Sequence, residues 1–164
     1  MLFQAVHKTP VGELFLVSDE HILLAAGFRN FKDLFERMDP IDTAREVKSV
    51  KKIPIISDLI SDYFAGDLAA LGGIKVRQPG ADFSQDVWKA MRKIPAGITW
   101  SYAELAQRAG SENAVRAAGT ACARNLIAPI VPCHRVIKTG GALGNYGYGL
   151  EVKEWLLRHE GALK

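Results

Sequence analysis

The first thirty residues alternate between short apolar runs and turn-forming residues. The apolar runs are FQAVH (residues 3–7), ELFLVS (13–18) and ILLAAGF (22–28). Pro10-Val11-Gly12 and Ser18-Asp19-Glu20 separate them, and Pro, Gly, Ser and Asp are typical turn residues. Short strands joined by short turns pair side by side in opposite directions, so this pattern predicts an antiparallel sheet.

The next segments change to a helical period. FKDLFERM (31–38) and IISDLISDYFAG (55–66) carry apolar residues three and four positions apart, which predicts two amphipathic helices. IKVRQPGADF (74–83) is expected to begin as a strand and continue as a linker. Its Pro-Gly pair favours a boundary between an N-terminal α/β domain, residues 1–79, and a C-terminal domain, residues 80–164.

The second half is predicted to be mostly helical. FSQDVWKAMRKI (83–94) places its apolar residues on one helix face. Ser101 and Glu104 have the S-x-x-E spacing of a capping box, which satisfies free amides at a helix start. Ser111 is expected to cap a second helix that runs to about Ala123. Two short helices around a tight turn predict a helix-turn-helix.

The second helix of this pair is rich in small residues from 117 to 122, and Arg116 is the long polar side chain near its start. A helix that reads bases usually presents Arg, Lys, Asn or Gln. Small side chains serve either close packing against another helix or close approach to a DNA groove without sequence reading. The periodicity leaves both interpretations open.

The last predicted helix lies in GLEVKEWLLRHEGALK (149–164). At about 100° per residue, Val152, Trp155, Leu156 and His159 share one face, and Glu160 lies at its border. A carboxylate turned partly inward is costly unless it has a partner.

Composition narrows the class of protein. Hydrophobic residues make up 48% of the 164 residues, and no apolar run approaches the roughly 20 residues of a membrane span. The N-terminus has no secretory signal pattern, so we expect a cytoplasmic protein, or a nuclear one in a eukaryote. Two cysteines are too few for a disulfide framework, and no Cys/His cluster has the spacing of a metal site.

Charge is uneven along the chain. Residues 1–80 carry 10 Lys and Arg against 11 Asp and Glu, while residues 81–164 carry 11 against 7. The basic half favours an anionic partner such as nucleic acid, although an ordinary solvated surface has the same composition.

Candidate chemistry centres on VPCHRVI (131–137). Most free cysteines are buried and inert, and Cys122 fits that description. Cys133 differs because a proline fixes the backbone before it, and because the cationic groups of His134 and Arg135 would lower a thiol pKa. Glu160 is the candidate to orient His134 as a base for the thiol.

Four motifs together resemble the O6-alkylguanine-DNA alkyltransferases, also called methylated-DNA–protein-cysteine methyltransferases. They are PCHR (132–135), GNY (144–146), KEWLLRHEG (153–161) and SY-x-x-LA (101–106). The resemblance covers the second half continuously and the first half only loosely. It implies an α+β fold: a small ribonuclease-H-like roll, with an antiparallel sheet and helices, followed by a mostly helical, winged-helix-like domain.

The resemblance implies a role for each catalytic candidate. Cys133 accepts the alkyl group, His134 takes the thiol proton through a water, and Glu160 orients that histidine. Asn125 holds the turn between the recognition helix and the active-site loop. Tyr102 meets a phosphate and gives a proton to the leaving guanine.

It also implies a DNA-binding set and a pocket set. Arg116 enters the duplex where the damaged base leaves. The other DNA-binding positions are Tyr102, Ala114, Val115 and Gly119. The alkylguanine pocket is expected to be lined by Cys122, Val136, Tyr146, Gly147 and Tyr148.

The implied partner is double-stranded DNA containing O6-alkylguanine, or O4-alkylthymine, bound through the minor groove by a monomer without sequence preference. Transfer to the cysteine is irreversible, so each chain acts once, and no cofactor or metal is expected. Three alternatives remain: a lesion-binding protein without chemistry, a Cys-His-Glu thiol hydrolase with turnover, and a plain helix-turn-helix regulator.

Overall fold

The apolar runs at the N-terminus form a four-stranded sheet. Strands β1 (Leu2–Thr9), β2 (Gly12–Ser18) and β3 (Leu23–Gly27) pair in antiparallel fashion, which confirms the predicted sheet. A short strand that was not predicted, β4 (Val47–Ser49), lies parallel to β1 at the edge, so the order is β3-β2-β1-β4. Every residue of β3 is buried, because this strand crosses the core.

The computed structural model describes residues 1–164, and the chain divides into two units. The first contains Met1–Pro79 and Leu126–Ile130, and the second contains Gly80–Asn125 and Val131–Lys164. Residues 126–130 were expected in the second domain. They lie with the first instead, because their backbone pairs with the β3 edge: Ala26 N–H donates to the Leu126 carbonyl at 2.9 Å.

Helices complete the first unit. Both predicted helices are present, as α1 (Phe31–Arg37) and α3 (Ile56–Phe64), and a single turn, α2 (Pro40–Thr43), precedes β4. The strand expected after residue 74 is reduced to one bridge between Leu23 and Val76.

The second unit is mostly helical, as predicted, and the chain as a whole is of the α+β class. Its helices and strands are α4 (Asp82–Met91), β5 (Trp100–Ser101), α5 (Tyr102–Arg108), α6 (Val115–Ala123), β6 (Val136–Ile137) and α7 (Leu150–His159). A short 3₁₀ helix, Cys133–Arg135, leads directly into β6.

The predicted helix pair is formed by α5 and α6. Ser101 caps α5, since its Oγ accepts the Glu104 N–H at 3.1 Å. The cap predicted at Ser111 is wrong. Helix α6 begins four residues later, after Ala114, without a side-chain cap, because residues 111–114 close a turn in which Ala114 N–H donates to the Ser111 carbonyl at 3.0 Å.

Helix α6 uses its small residues on both sides. Ala118 and Ala121 are buried, and the Ala121 carbonyl accepts the indole N–H of Trp88 on α4 at 2.9 Å. Arg116 and Thr120 are exposed. One face therefore packs against a helix while the other remains accessible.

The buried face of α7 is shifted by one residue from the prediction. Lys153, Leu156, Leu157 and Glu160 are buried, whereas Val152, Trp155 and His159 are only half-buried. The face is shifted because Lys153 and Glu160 are both buried by polar interactions: Lys153 donates to the Val136 carbonyl, and Glu160 pairs with Arg135. No helix in the chain combines the length and apolar character needed to cross a membrane.

Candidate active site

Cys133 lies half-buried at the start of the 3₁₀ helix that precedes β6. The buried amide of Asn125 donates to Cys133 Sγ at 3.3 Å and to the Val131 carbonyl at 2.8 Å. Asn125 follows α6, so this pair of hydrogen bonds ties the end of α6 to the segment that carries the thiol. A donor aimed at sulfur stabilises the thiolate over the thiol.

His134 is completely buried directly after the thiol. Its Nε2 lies 2.8 Å from Glu160 Oε2, whereas its Nδ1 is buried without a hydrogen-bond partner among the protein atoms. Burial lowers the pKa of His134, although the hydrogen bond and charge of Glu160 oppose that effect. The imidazole is therefore held neutral, and because Nε2 faces a carboxylate it carries the proton, which leaves Nδ1 as the unprotonated nitrogen.

The carboxylate of Glu160 also binds Arg135. Arg135 Nε and Nη2 donate to its two oxygens at 2.8 and 2.9 Å, and Nη1 donates to the Ile94 carbonyl at 2.7 Å. Burial alone would raise the pKa of Glu160, but hydrogen bonds and charges from His134 and Arg135 lower it well below its ordinary value. Arg135 was predicted to lower the thiol pKa as a neighbouring cation. That prediction is corrected, because its guanidinium is committed to Glu160.

Lys153 is a buried cation that the sequence analysis missed. Its side chain has no solvent exposure, and Nζ donates to the carbonyls of Val136, Leu143 and Asn145 at 2.8, 2.5 and 3.3 Å. Three acceptors use all three protons of an ammonium group. Burial lowers the pKa of Lys153, and a negative charge on Cys133 opposes that effect.

The signal for Lys153 is present in the sequence. Lys153, Leu156, Leu157 and Glu160 have the spacing i, i+3, i+4, i+7 of a buried helix stripe. A pattern of apolar residues alone does not detect this stripe, because two of its four positions are charged. Charged residues are buried almost only when they are paired, so their presence in the stripe indicates internal partners.

A cavity of about 540 Å³ opens beside Cys133. That volume is within the range of small-molecule sites, about 300–1,000 Å³. Its lining comes from the start of α5, α6 and the residues that follow it, the cysteine segment, and the loop between β6 and α7: Tyr102, Val115, Arg116, Gly119, Cys122, Ala123, Asn125, Cys133, Lys138, Asn145, Tyr146 and Gly147.

Most of the predicted pocket and DNA-binding residues are brought to this cavity, and three are not. Val136 is wholly buried in β6 and lies outside the cavity lining. Tyr148 lies behind Tyr146, with the two rings edge to face at 5.8 Å between centroids. Ala114 is the residue before α6 and lies outside the lining.

The two thiols of the cavity differ. Burial raises the pKa of the Cys122 thiol far above its ordinary value, with a further contribution from Cys133. Cys122 Sγ contacts Met91 Sδ at 3.8 Å. Cys122 is therefore a packed thiol that burial keeps protonated, whereas Cys133 accepts a hydrogen bond from the Asn125 amide.

Tyr102 stands at the edge of the cavity, held by the β5–β6 pairing of Ser101 with Ile137. A Cβ on Gly144 would lie 3.3 Å from Tyr102 Oη, so the glycine leaves room for the hydroxyl. Burial raises the pKa of Tyr102 to about 12. The phenol is therefore a proton donor at neutral pH rather than a base.

Comparison with known proteins shows the family to which the chain is similar. Residues 82–162 match the DNA-binding domain of 6-O-methylguanine DNA methyltransferase. The chain is 40% identical over 159 residues to a methylated-DNA–protein-cysteine methyltransferase of Salmonella typhimurium, covering 94% of this chain and 93% of that protein. It is 37% identical over 161 residues to the Methanosarcina acetivorans protein of the same name, covering 98% and 99%.

Solved structures agree as well. Mycobacterium tuberculosis O6-methylguanine methyltransferase matches with a TM-score of 0.78 at 34% identity, over 99% of this chain and 94% of that one. A structure of Mycobacterium tuberculosis OGT in complex with DNA matches with a TM-score of 0.80 at 32% identity, over 98% and 93%. With this likeness over nearly its whole length, the chain belongs to the methylated-DNA–protein-cysteine methyltransferase family.

Proposed function

We propose that this protein repairs DNA by moving an alkyl group from the O6 atom of a damaged guanine, or the O4 atom of a thymine, onto Cys133. The observation that carries the proposal is the arrangement around one sulfur. Cys133 faces a cavity, accepts a hydrogen bond from Asn125, and is followed by a histidine locked to a buried carboxylate.

The thiol is activated by its neighbours. Its proton passes through a water to Nδ1 of His134, whose Nε2–H is already directed at Glu160. Glu160 stabilises the imidazolium that results, and Arg135 holds the carboxylate in place. The Asn125 amide stabilises the thiolate, and we infer that the Lys153 ammonium adds a favourable charge, since it binds the carbonyl of Asn145 on the wall of the same cavity.

Alkyl transfer is a single displacement. The sulfur–carbon bond forms as the carbon–O6 bond breaks, and the electron pair leaves on guanine. The Tyr102 hydroxyl, protonated at neutral pH, gives its proton to the leaving base. The product is a thioether that no group in the site can hydrolyse, so the chain reacts once.

The target base has to leave the duplex, because the alkylated oxygen lies inside the base stack. We infer that α6 approaches the minor groove with its exposed small residues and that Arg116 fills the space left by the base. Phosphate contacts would supply affinity without sequence preference. Nothing in this scheme requires a second copy of the chain.

The proposal is tested by intact mass. Incubation with a duplex oligonucleotide carrying O6-methylguanine should add one methyl group per chain, and peptide mapping should locate it on Cys133. Cys122→Ser is the matched control for the site of modification and should still gain the methyl group on Cys133, since Cys122 is a buried protonated thiol. Repeated turnover would indicate a hydrolase, and an unmodified chain would exclude alkyl transfer.

Replacing Arg116 by Ala should slow repair of duplex DNA far more than reaction with free O6-benzylguanine. Unstacking a base costs a few kcal/mol, and Arg116 would offset part of that cost by filling the space left in the duplex. Losing this contribution corresponds to a rate that is roughly 10- to 100-fold lower. Single-turnover rates on both substrates provide the comparison, with the exposed Arg124→Ala as control. Equal losses on the two substrates would remove Arg116 from base extrusion.

A further inference from the structure

Two cations line the alkyl-acceptor cavity without acidic partners. Arg116 and Lys138 are both exposed, and no Asp or Glu belongs to the lining. The ion pairs of the chain all involve other residues. Arg116 has a role in the proposed function, whereas Lys138 has none.

The position of Lys138 is set by its surroundings. It follows β6, whose Ile137 pairs in parallel with Ser101, so Lys138 comes next in register to Tyr102. Its backbone N–H donates to the Ala142 carbonyl at 2.8 Å, and its carbonyl accepts from Gly141 N–H at 3.0 Å, which fixes it in a turn.

The stem of Lys138 is also placed. A Cβ on Gly144 would lie 3.5 Å from Lys138 Cγ and 3.3 Å from Tyr102 Oη, so the two side chains flank the same glycine. Lys138 therefore lies beside the Tyr102 phenol, and the cavity lining contains no carboxylate. Its ammonium group is placed at the cavity entrance, where substrate would bind.

We propose that Lys138 binds an anionic oxygen group of the substrate at the mouth of the cavity. Two sources have that chemistry: the phosphate next to the extruded nucleotide, and a carboxylate on the O6 substituent itself, as in O6-carboxymethylguanine. This inference rests on the proposed function and adds a specificity-determining residue to it. An ammonium pairs with either group as a point charge with three donors.

Lys138→Met is the informative variant, because methionine keeps most of the stem that packs at Gly144 and removes the charge. Lys138→Arg keeps the charge and should behave like the unmodified chain. Lys89→Met is the matched control, since Lys89 is exposed on α4 in the same unit and outside the cavity lining. Transfer to Cys133 is followed by intact mass with O6-methylguanine and O6-carboxymethylguanine, each in a duplex and as the free base.

If Lys138 binds the phosphate, Lys138→Met should slow both duplex substrates by the same factor, about three- to tenfold, and leave both free bases unchanged. The slope of the logarithm of the duplex-binding constant against the logarithm of the salt concentration should then become shallower by about one. If Lys138 binds the substituent, the carboxymethyl substrates alone should slow, in the duplex and as free base.

Unchanged rates on all four substrates would overturn the proposal. So would an equal loss on all four, which indicates a structural effect, or an equal loss in Lys89→Met, which indicates general charge. Failure of the underlying function is recognised separately, because the unmodified chain would then not be methylated by duplex O6-methylguanine.

Discussion

Replacing Glu160 by Gln should slow methyl transfer to Cys133 by about 10²- to 10⁴-fold at neutral pH, the range that a positioned general base contributes. Glutamine preserves the size of the side chain but removes the charge that stabilises a protonated His134. The pKa of His134, already lowered by burial, then loses the opposing effect of the carboxylate and falls further. Glu160 acts through His134, so it is a positioning residue rather than a catalytic one.

The pH profile separates this role from a general loss of structure. Glu160 favours the thiolate–imidazolium pair, so without it the thiol ionises at higher pH. The midpoint of the pH profile of Cys133 alkylation should therefore lie at higher pH in Glu160→Gln than in the unmodified chain. Glu154→Gln is the control, because it breaks an exposed pair with Arg158 at 3.7 Å on the same helix. Superimposable profiles would remove Glu160 from the relay.

Stability must be measured alongside the rate. Removing one member of a buried ion pair leaves Arg135 without its counter-charge, which costs about 3–5 kcal/mol. Urea unfolding should show that loss, and rates should be compared under conditions in which both chains are folded. A structural loss lowers the amount of reactive protein at every pH, whereas loss of the relay shifts the profile.

The sequence predicted the pairing of His134 with Glu160 because both residues have local chemical signatures. A histidine next to a cysteine, such as His134, needs a polar partner to act on the thiol. Glu160, a carboxylate turned partly inward, has to be paired when it is buried. His134 and Glu160 are 26 positions apart, and the structure joins them at 2.8 Å. The pair was accessible from the sequence, because a histidine beside a thiol and an inward carboxylate each call for a polar partner.

Features that depend on tertiary contacts were not accessible. Arg135 looked like an activator of the neighbouring thiol, but its direction is decided by Glu160 on another element. Residues 126–130 read as part of the second domain, yet their backbone hydrogen bonds lie at the β3 edge. The local sequence does not show which of several polar groups a side chain or backbone segment will bind. That is decided by the positions of segments distant in sequence.

Lys153→Met should leave the chain folded but less stable and almost inactive. The substitution removes the donor from the carbonyls of Val136, Leu143 and Asn145, and an unsatisfied buried acceptor costs about 1–3 kcal/mol. The loop from 138 to 149 supplies Tyr146 and Gly147 to the cavity, so its release removes one wall of the site. We expect methyl transfer to fall by at least about 10²-fold, because loss of one positioning element commonly has that effect.

Two measurements distinguish this role from simple destabilisation. Backbone amide hydrogen exchange should accelerate in residues 138–149 and remain unchanged in α4, which supplies none of the three carbonyls that the Lys153 ammonium binds. Alkylation of Cys133 by iodoacetamide should also require higher pH, because the ammonium near the sulfur is lost. Arg158→Met, exposed on the same helix, is the control for both. Uniform acceleration of exchange through the second unit, with an unchanged alkylation profile, would mean that Lys153 serves only to hold the core together. Acceleration confined to the loop, with the shifted profile, would mean that one buried ammonium both closes the pocket wall and stabilises the attacking thiolate.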